Sequence, residues 1–326
     1  MSFEDSLITV ENLKKYYSVR TGLLQSLRSE KKLYVKAVDG ISFNIKNGEI
    51  YGLAGESGCG KTTTGRSILR LFEPTSGKAW FKGIDIFTMR KSEIKEFRRR
   101  AQIIYQDPYE SLDPRMTIFD FVAEPLIVHG IGDIEKNVEE ALEKVELTPS
   151  RDFFFRFPHE LSGGQRQRVA IARSMILNPE FVVADEPVSM LDVSIRTSIL
   201  NLMIKLKNEK NISYLYITHD LATAKHMCDR IGIMYLGKIV EEAKIETLVD
   251  DPLHPYTQAL VEAVPDIDPT SKRSKAIITG EVPSPINLPP GCRFNNRCPY
   301  VKEICKKEEP EYKEIGNGRR VACHLY

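Results

Sequence analysis

No run of apolar residues in this chain reaches the ~18 that a membrane-crossing helix needs. The opening Met-Ser-Phe-Glu-Asp is acidic and has no apolar stretch behind it, unlike a secretory leader. Charge of one sign is also lacking: 46 Lys and Arg face 45 Asp and Glu, a net of +1, so there is no basic excess of the kind that binds nucleic acid. Internal repeats, low-complexity tracts and long heptad segments are absent. These absences lead to the expectation of a soluble, cytoplasmic protein whose role at a membrane, if any, runs through partners.

The 326 residues suffice for one large α/β domain and a smaller appendage. Residues 7–12 begin as a strand, 18–32 read as a basic loop or insertion, and 38–45 form a second strand ending at the Asn47-Gly48 turn. Residues 49–54, 181–184 and 214–217 are short apolar runs of the buried parallel-strand type, and 93–100 and 134–146 carry helical periodicity. Strands alternating with helices imply a parallel sheet covered by helices. Beyond residue 245 prolines crowd in (Pro252, Pro255, Pro265, Pro269, Pro283, Pro285, Pro289, Pro290). A boundary is expected there, dividing 1–245 from 246–326.

Three motifs carry chemistry. Gly55-Glu56-Ser57-Gly58-Cys59-Gly60-Lys61-Thr62 fits G-x-x-x-x-G-K-[ST] between a strand and a helix. Such a loop turns backbone N–H groups toward phosphate oxygens at a helix N-terminus. Lys61 would reach the β- and γ-phosphates and the Thr62 hydroxyl would ligate Mg²⁺. Alone, the motif says nucleoside triphosphate and no more.

The apolar run 181–184 ends in Asp185-Glu186. Asp185 can hold Mg²⁺ and Glu186 can polarise a water for attack on the γ-phosphate. Two solvated acids at a strand end are the default reading of such a pair, and the neighbouring motifs argue against it. Leu161-Ser162-Gly163-Gly164-Gln165 opens a helical run and would present free N–H groups to an anion. A Ser-capped helix after a glycine turn is the plain alternative.

Together these residues resemble the ABC ATPases over residues 7–245. Gly55 to Thr62, with Thr63 after them, are similar to the Walker A loop of that family. Phe181 to Glu186 resemble its Walker B strand, and Leu161 to Gln165 its signature sequence. The resemblance implies further roles. Gln106 would be the Q-loop glutamine that touches Mg²⁺ and faces the membrane partner. Ser189-Met190-Leu191-Asp192 would be the D-loop, with Met190 in place of the usual small residue. His219 would be the switch histidine at the γ-phosphate, though a lone His is more often structural. Tyr17 would stack on adenine, with Tyr16 as its competitor. The fold implied is a P-loop cassette with a RecA-like core and a helical subdomain, followed by a small irregular C-terminal domain. Two cassettes would pair head to tail, each ATP held by one chain's Walker motifs and the other's Ser162-Gly163-Gly164.

The tail resembles the C-terminal region of oligopeptide and dipeptide importer ATPases, through His254-Pro-Tyr-Thr-Gln-Ala-Leu260, Gly280-Glu-Val-Pro-Ser-Pro285 and Gly291-Cys-Arg-Phe-Asn-Asn-Arg-Cys-Pro299. Of the two unlike ATPase subunits in such importers, the chain is similar to the second, the F type; the insertion before Val38 and residues 107–114 carry that likeness. The resemblance implies a second ABC ATPase subunit, two transmembrane permeases and, indirectly, an extracytoplasmic peptide-binding protein. It places the chain at the cytoplasmic face of the membrane. Nickel importers share the architecture, so nickel is the alternative cargo. An ABC ATPase without a membrane partner, or a P-loop kinase, is disfavoured: the first by the single cassette, the second by the signature string.

Of six cysteines, Cys59 and Cys228 are isolated and Cys292, Cys298, Cys305 and Cys323 cluster in the tail. Their spacing, x5, x6 and x17, is wider than the pairs of structural zinc sites. Spacing alone favours a [4Fe–4S] cluster over its rival Zn²⁺ only modestly, and the resemblance to peptide-importer tails, some of which carry such a cluster, implies it more strongly; His324 could substitute as a ligand, with Cys323 the simpler choice.

Overall fold

The computed structural model describes residues 6–19, 33–263, 283–286 and 288–326. The basic insertion lies almost wholly outside the described residues, as do Pro265, Pro269 and the start of the 280–285 motif.

Two sheets organise the chain. The smaller one has the order β2-β1-β4-β5 and is antiparallel. It is built from β1 (Ser6–Ser18), β2 (Tyr34–Lys46), β4 (Ser76–Phe81) and β5 (Ile84–Asp85). The larger has the order β11-β12-β10-β9-β3-β8-β7-β6. Its parallel part holds β3 (Ile50–Ala54), β6 (Ala101–Ile104), β7 (Phe181–Asp185), β8 (Ser213–Thr218) and β9 (Arg230–Tyr235). Every residue of β3, β7 and β8 is buried, as expected for strands covered on both faces. The alternating Ile41, Phe43 and Ile45 of β2 point instead into a second core shared with β1 and β4.

The sequence places β1 at 7–12, whereas the strand runs to Ser18. It passes a bulge at Asn12, which adopts a left-handed φ of 48° and gives its N–H to Ser42 Oγ at 2.8 Å. The polar Glu11-Asn12 pair therefore marks an irregularity within the strand.

Helix α1 (Lys61–Ile68) follows β3 and lies against β7 and β8. Helices α2 (Lys91–Arg100) and α3 (Pro108–Ser111) flank β6. Next, α4 (Ile118–His129), α5 (Ile134–Lys144) and α6 (Gly163–Met175) pack on one another as a helical layer. In α5 the buried Val138, Ala141 and Leu142 recur at helical spacing. The long α7 (Val193–Lys210) ends on Asn211 in the left-handed region, φ 54°. Helix α8 (Leu221–Met227) is capped by Asp220, whose carboxylate accepts the Ala222 N–H at 2.8 Å.

The boundary expected after residue 245 falls at the first residue of α9 (Ile245–Asp250), which follows β10 (Lys238–Lys244) and precedes α10 (Pro255–Glu262). The sheet does not end there. The tail forms a hairpin, β11 (Tyr312–Gly316) and β12 (Arg319–Ala322), and β12 pairs with β10 at Glu241↔Val321. The tail thus shares the hydrogen-bonded framework of the cassette.

The iron–sulfur expectation requires correction. Among the described residues no group of three or more His, Cys, Asp or Glu side chains is disposed to hold a metal ion, so the structure gives no support to a [4Fe–4S] cluster or to Zn²⁺. Cys292 and Cys298 pack against the main core, and Cys305 is buried, its Sγ accepting the Lys302 N–H at 3.4 Å. Burial pushes the Cys292 thiol up to about 11 and raises those of Cys298 and Cys323. His324 Nε2 bonds the Glu308 carbonyl at 3.0 Å.

Candidate active site

The loop between β3 and α1 turns on glycines. A Cβ on Gly60 would come within 2.0 Å of the Ala37 carbonyl oxygen, and the residue holds φ 110°, so only glycine fits. No side chain caps α1, which leaves its first N–H groups to the loop mouth. Lys61 is buried and its ammonium donates to the carbonyls of Gly55 (2.7 Å) and Glu56 (3.1 Å). The Cys59 side chain is buried beneath the loop, and desolvation raises its thiol.

Asp185 ends β7 as a residue 1% exposed, its carboxylate accepting the Thr62 hydroxyl at 2.8 Å. Burial pushes this carboxyl above its usual range, against the lowering effect of the Thr62 bond. The next residue turns the other way. Glu186 sits at φ 47°, with its N–H on the Ile217 carbonyl at 3.0 Å. Its Oε2 meets His219 Nδ1 at 2.8 Å and Gln106 Nε2 at 3.4 Å. Ser189 Oγ bonds the Glu186 carbonyl at 3.1 Å, while Met190 is 64% exposed. A cleft of 560 Å³ joins these parts, lined by Ser57, Gly58, Thr63, Gln106, Glu186 and His219 among others. Residues from positions 55–63, 106, 185–186 and 219 are thus brought together.

The signature lies elsewhere. Ser162 opens α6 as a reciprocal cap: its Oγ accepts the Gln165 N–H at 3.3 Å, and its own N–H bonds Gln165 Oε1 at 2.9 Å. Leu161 is buried, and Gly164 packs so tightly on α7 that a Cβ would lie 2.8 Å from Ile195 Cγ2. Leu161 to Gln165 do not line the cleft of their own chain.

The two tyrosines of β1 separate. The Tyr16 hydroxyl bonds Asp39, which also takes a bond from Arg293. Burial alone would raise the Asp39 carboxyl, but the bonds from Tyr16 and Arg293 hold it below its usual range. Tyr17 makes edge and cation contacts, to Phe72 at 6.3 Å and Lys15 Nζ at 4.9 Å.

Sequence reasoning missed the tail's part in this site. The Tyr256 hydroxyl accepts the Glu56 N–H at 2.8 Å, and Arg297 pairs with the Glu56 carboxylate at 2.8 and 3.0 Å. Both residues lie within tail motifs that the sequence singles out, but no spacing rule ties them to position 56.

Comparison with known proteins agrees with this architecture. The ABC transporter family profile matches residues 38–189, and that of the oligopeptide/dipeptide transporter C-terminal region matches 240–305. The chain is 48% identical over 329 residues to the oligopeptide transport ATP-binding protein AppF of Bacillus subtilis (strain 168), covering 99% of this chain and 98% of that one. It is 44% identical over 319 residues to the dipeptide transport ATP-binding protein DppF of Haemophilus influenzae, covering 97% and 96%. Among solved structures, the dimeric bacterial ABC transporter cassette MJ0796 superimposes with a TM-score of 0.62 at 31% identity, over 73% of this chain and 98% of that one. The chain belongs to the ABC transporter family of ATP-binding cassettes, in the branch of oligopeptide and dipeptide transport ATP-binding proteins.

Proposed function

We propose that this chain is the ATP-hydrolysing subunit that energises import of dipeptides or oligopeptides through a membrane ABC transporter. The observation that carries the reading is the convergence of His219 and Gln106 on the Glu186 carboxylate at the mouth of the phosphate loop. Glu186 is the general base that draws a proton from the attacking water, and His219 holds that carboxylate and faces the γ-phosphate. Gly55 to Thr63 cradle the phosphates, Lys61 leaves its loop carbonyls for the β- and γ-oxygens, and Tyr17 stacks on adenine.

Thr62 Oγ1 and Asp185 Oδ1, 2.8 Å apart, are hard oxygen donors that suit Mg²⁺, with Gln106 completing the set. When bound, the ion neutralises charge on the phosphates. A nearby cation would favour the charged form of the desolvated Asp185 carboxylate.

Among the described residues no helix is long and apolar enough to cross a membrane, so the pathway is assigned to two permease chains on whose cytoplasmic face this subunit sits. The exposed Ser162 end of α6 completes the nucleotide site of a second cassette, in a head-to-tail pair. An extracytoplasmic peptide-binding protein delivers the cargo, and nucleic acid has no part. Residues 1–245 form the ATPase unit and 246–326 an appendage integrated with it.

Reconstitution with the neighbouring permeases and partner cassette in lipid vesicles tests the reading. Peptide uptake should require ATP on the cassette side and vanish with Ser162→Arg, which spares nucleotide binding to this chain's own loop. Uptake of nickel but not peptide would overturn the cargo.

A further inference from the structure

Glu56 is the second residue of the phosphate loop, and each of its polar groups is held. Its N–H donates to the Tyr256 hydroxyl at 2.8 Å. Its carbonyl accepts Lys61 Nζ at 3.1 Å. Its carboxylate receives a two-pronged bond from Arg297, Nη1 to Oε2 at 2.8 Å and Nη2 to Oε1 at 3.0 Å. The tail supplies the first and the last of these, from 200 and 241 residues further along the chain.

Both tail groups are firmly set. Arg297 is 8% exposed, its guanidinium 5.8 Å from the ring centroids of Tyr235 and Phe294. Tyr256 is fully buried and packs on the same two rings, at 4.7 and 5.5 Å. One aromatic cluster, resting on the end of β9, therefore carries both grips on the loop. The charge arithmetic is equally direct. Glu56 lines the cleft, where an unpaired carboxylate would repel the phosphates that the loop receives. Arg297 cancels that charge, and its planar fork also fixes the orientation of the carboxylate. The pairing holds the Arg297 guanidinium above its usual range.

We propose that Arg297 and Tyr256 are positioning residues of the nucleotide site, so that the C-terminal segment sets this cassette's affinity for ATP in cis. Arg297 acts by neutralising and orienting Glu56, and Tyr256 by fixing the backbone where the chain enters the loop. The proposal rests on the reading of residues 55–62 as the phosphate-binding loop. It gives the tail a task inside the catalytic cycle: any partner that shifts the tail shifts nucleotide affinity through Glu56.

The test uses the full chain, titrated with a fluorescent ATP analogue and Mg²⁺, and the assembled transporter for steady-state hydrolysis. Arg297→Ala should raise both Kd and the KM for ATP by about tenfold, about 1.4 kcal/mol, while kcat stays within about twofold. The Glu56→Gln/Arg297→Gln pair removes both charges and should recover most of that loss, a rescue that a merely structural role would not give. Tyr256→Phe should raise Kd by about threefold, as expected for one neutral hydrogen bond. If Arg297→Ala does not fold, Arg297→Lys, which keeps the charge without the fork, should raise Kd by about threefold. Wild-type affinity in the Arg297 variants, or equal weakening in the double variant, overturns the proposal. Lys61→Ala separates the two readings. If it binds as tightly as the wild type, the phosphate-loop assignment falls and takes this inference with it. If it weakens binding while the Arg297 variants do not, only the inference falls.

Discussion

His219 Nδ1 and Glu186 Oε2 share a 2.8 Å hydrogen bond that ties the end of β8 to the end of β7 across the cleft. Glu186 is only 12% exposed at its side chain while His219 is 56% exposed, so the pair faces the cleft from the histidine side. Glu186→Gln keeps the shape and removes the base. Phosphate release by the assembled transporter should fall by about 10²-fold or more, with ATP affinity retained. Near-normal turnover would remove Glu186 from the mechanism. His219→Ala should also lower turnover while leaving the thermal midpoint in place, because so exposed a ring contributes little packing.

Tyr16 and Tyr17 offer a neighbouring-residue test. Tyr17→Ala should weaken nucleotide binding by about 1–3 kcal/mol, the range for loss of an aromatic–base stack. Tyr16→Phe breaks the hydroxyl contact to Asp39 and should lower the unfolding midpoint with little effect on affinity. The opposite pattern in a titration of the two variants would move the adenine contact to Tyr16.

His254 predicts a pH dependence of stability. Burial lowers its pKa to about 3, and Nδ1 accepts the Tyr256 N–H at 3.1 Å, so the neutral ring carries its proton on Nε2. The unfolded chain takes up a proton near pH 6.5, which the folded ring resists until about pH 3. Stability from this group is therefore complete above pH 6.5 and is lost as pH falls below it, by up to about 1.4 kcal/mol per unit. His254→Asn keeps an acceptor for the cap. Its unfolding midpoint should fall less steeply than the wild type's between pH 6.5 and 5, in chemical denaturation at each pH.

Gly65 marks where α1 touches the sheet. A Cβ there would lie 2.7 Å from Val183 Cγ1 and 3.0 Å from Ile217 Cδ1. Gly65→Ala should cost about 1–3 kcal/mol by overpacking, read as a lower urea midpoint at unchanged slope. An unmoved midpoint would mean that the helix yields freely.

The nucleotide-facing half of the molecule is legible in the sequence because β3, β7 and β8 are continuous apolar runs ending in polar motifs. Strand geometry then delivers Lys61, Asp185, Glu186 and His219 to one edge of the sheet. Local rules also expose the Ser162–Gln165 cap. They fail where burial does not follow a period. In β11 the residues after Tyr312 are exposed, so no alternation betrays a strand. The bulge at Asn12 reads as a strand end for the same reason. The cysteines show a different limit: their spacing speaks of ligands, but no metal-holding group is found among the described residues, and Cys292 and Cys298 pack against the main core. The Arg297–Glu56 pair depends on two distant segments meeting, which no window of sequence reports.

The return of β12 to β10 has a consequence for how the protein behaves in a crowded solution. Without the hairpin, β10 would form the rim of the large sheet and present a bare ladder of N–H and C=O groups. Unpaired rims of this kind invite strand addition from another copy. Two of the groups left there would be Glu241 and Glu242, buried carboxylates that the hairpin helps to partner: Arg319 approaches the first at 3.7 Å, and the Tyr312 hydroxyl joins Arg230 on the second, bonding it at 2.8 Å. With the hairpin in place the rim is β11, short and bearing the exposed Lys313 and Glu314. The tail therefore hems the sheet, and a cassette trimmed back to β10 would trade a protected edge for an adhesive one.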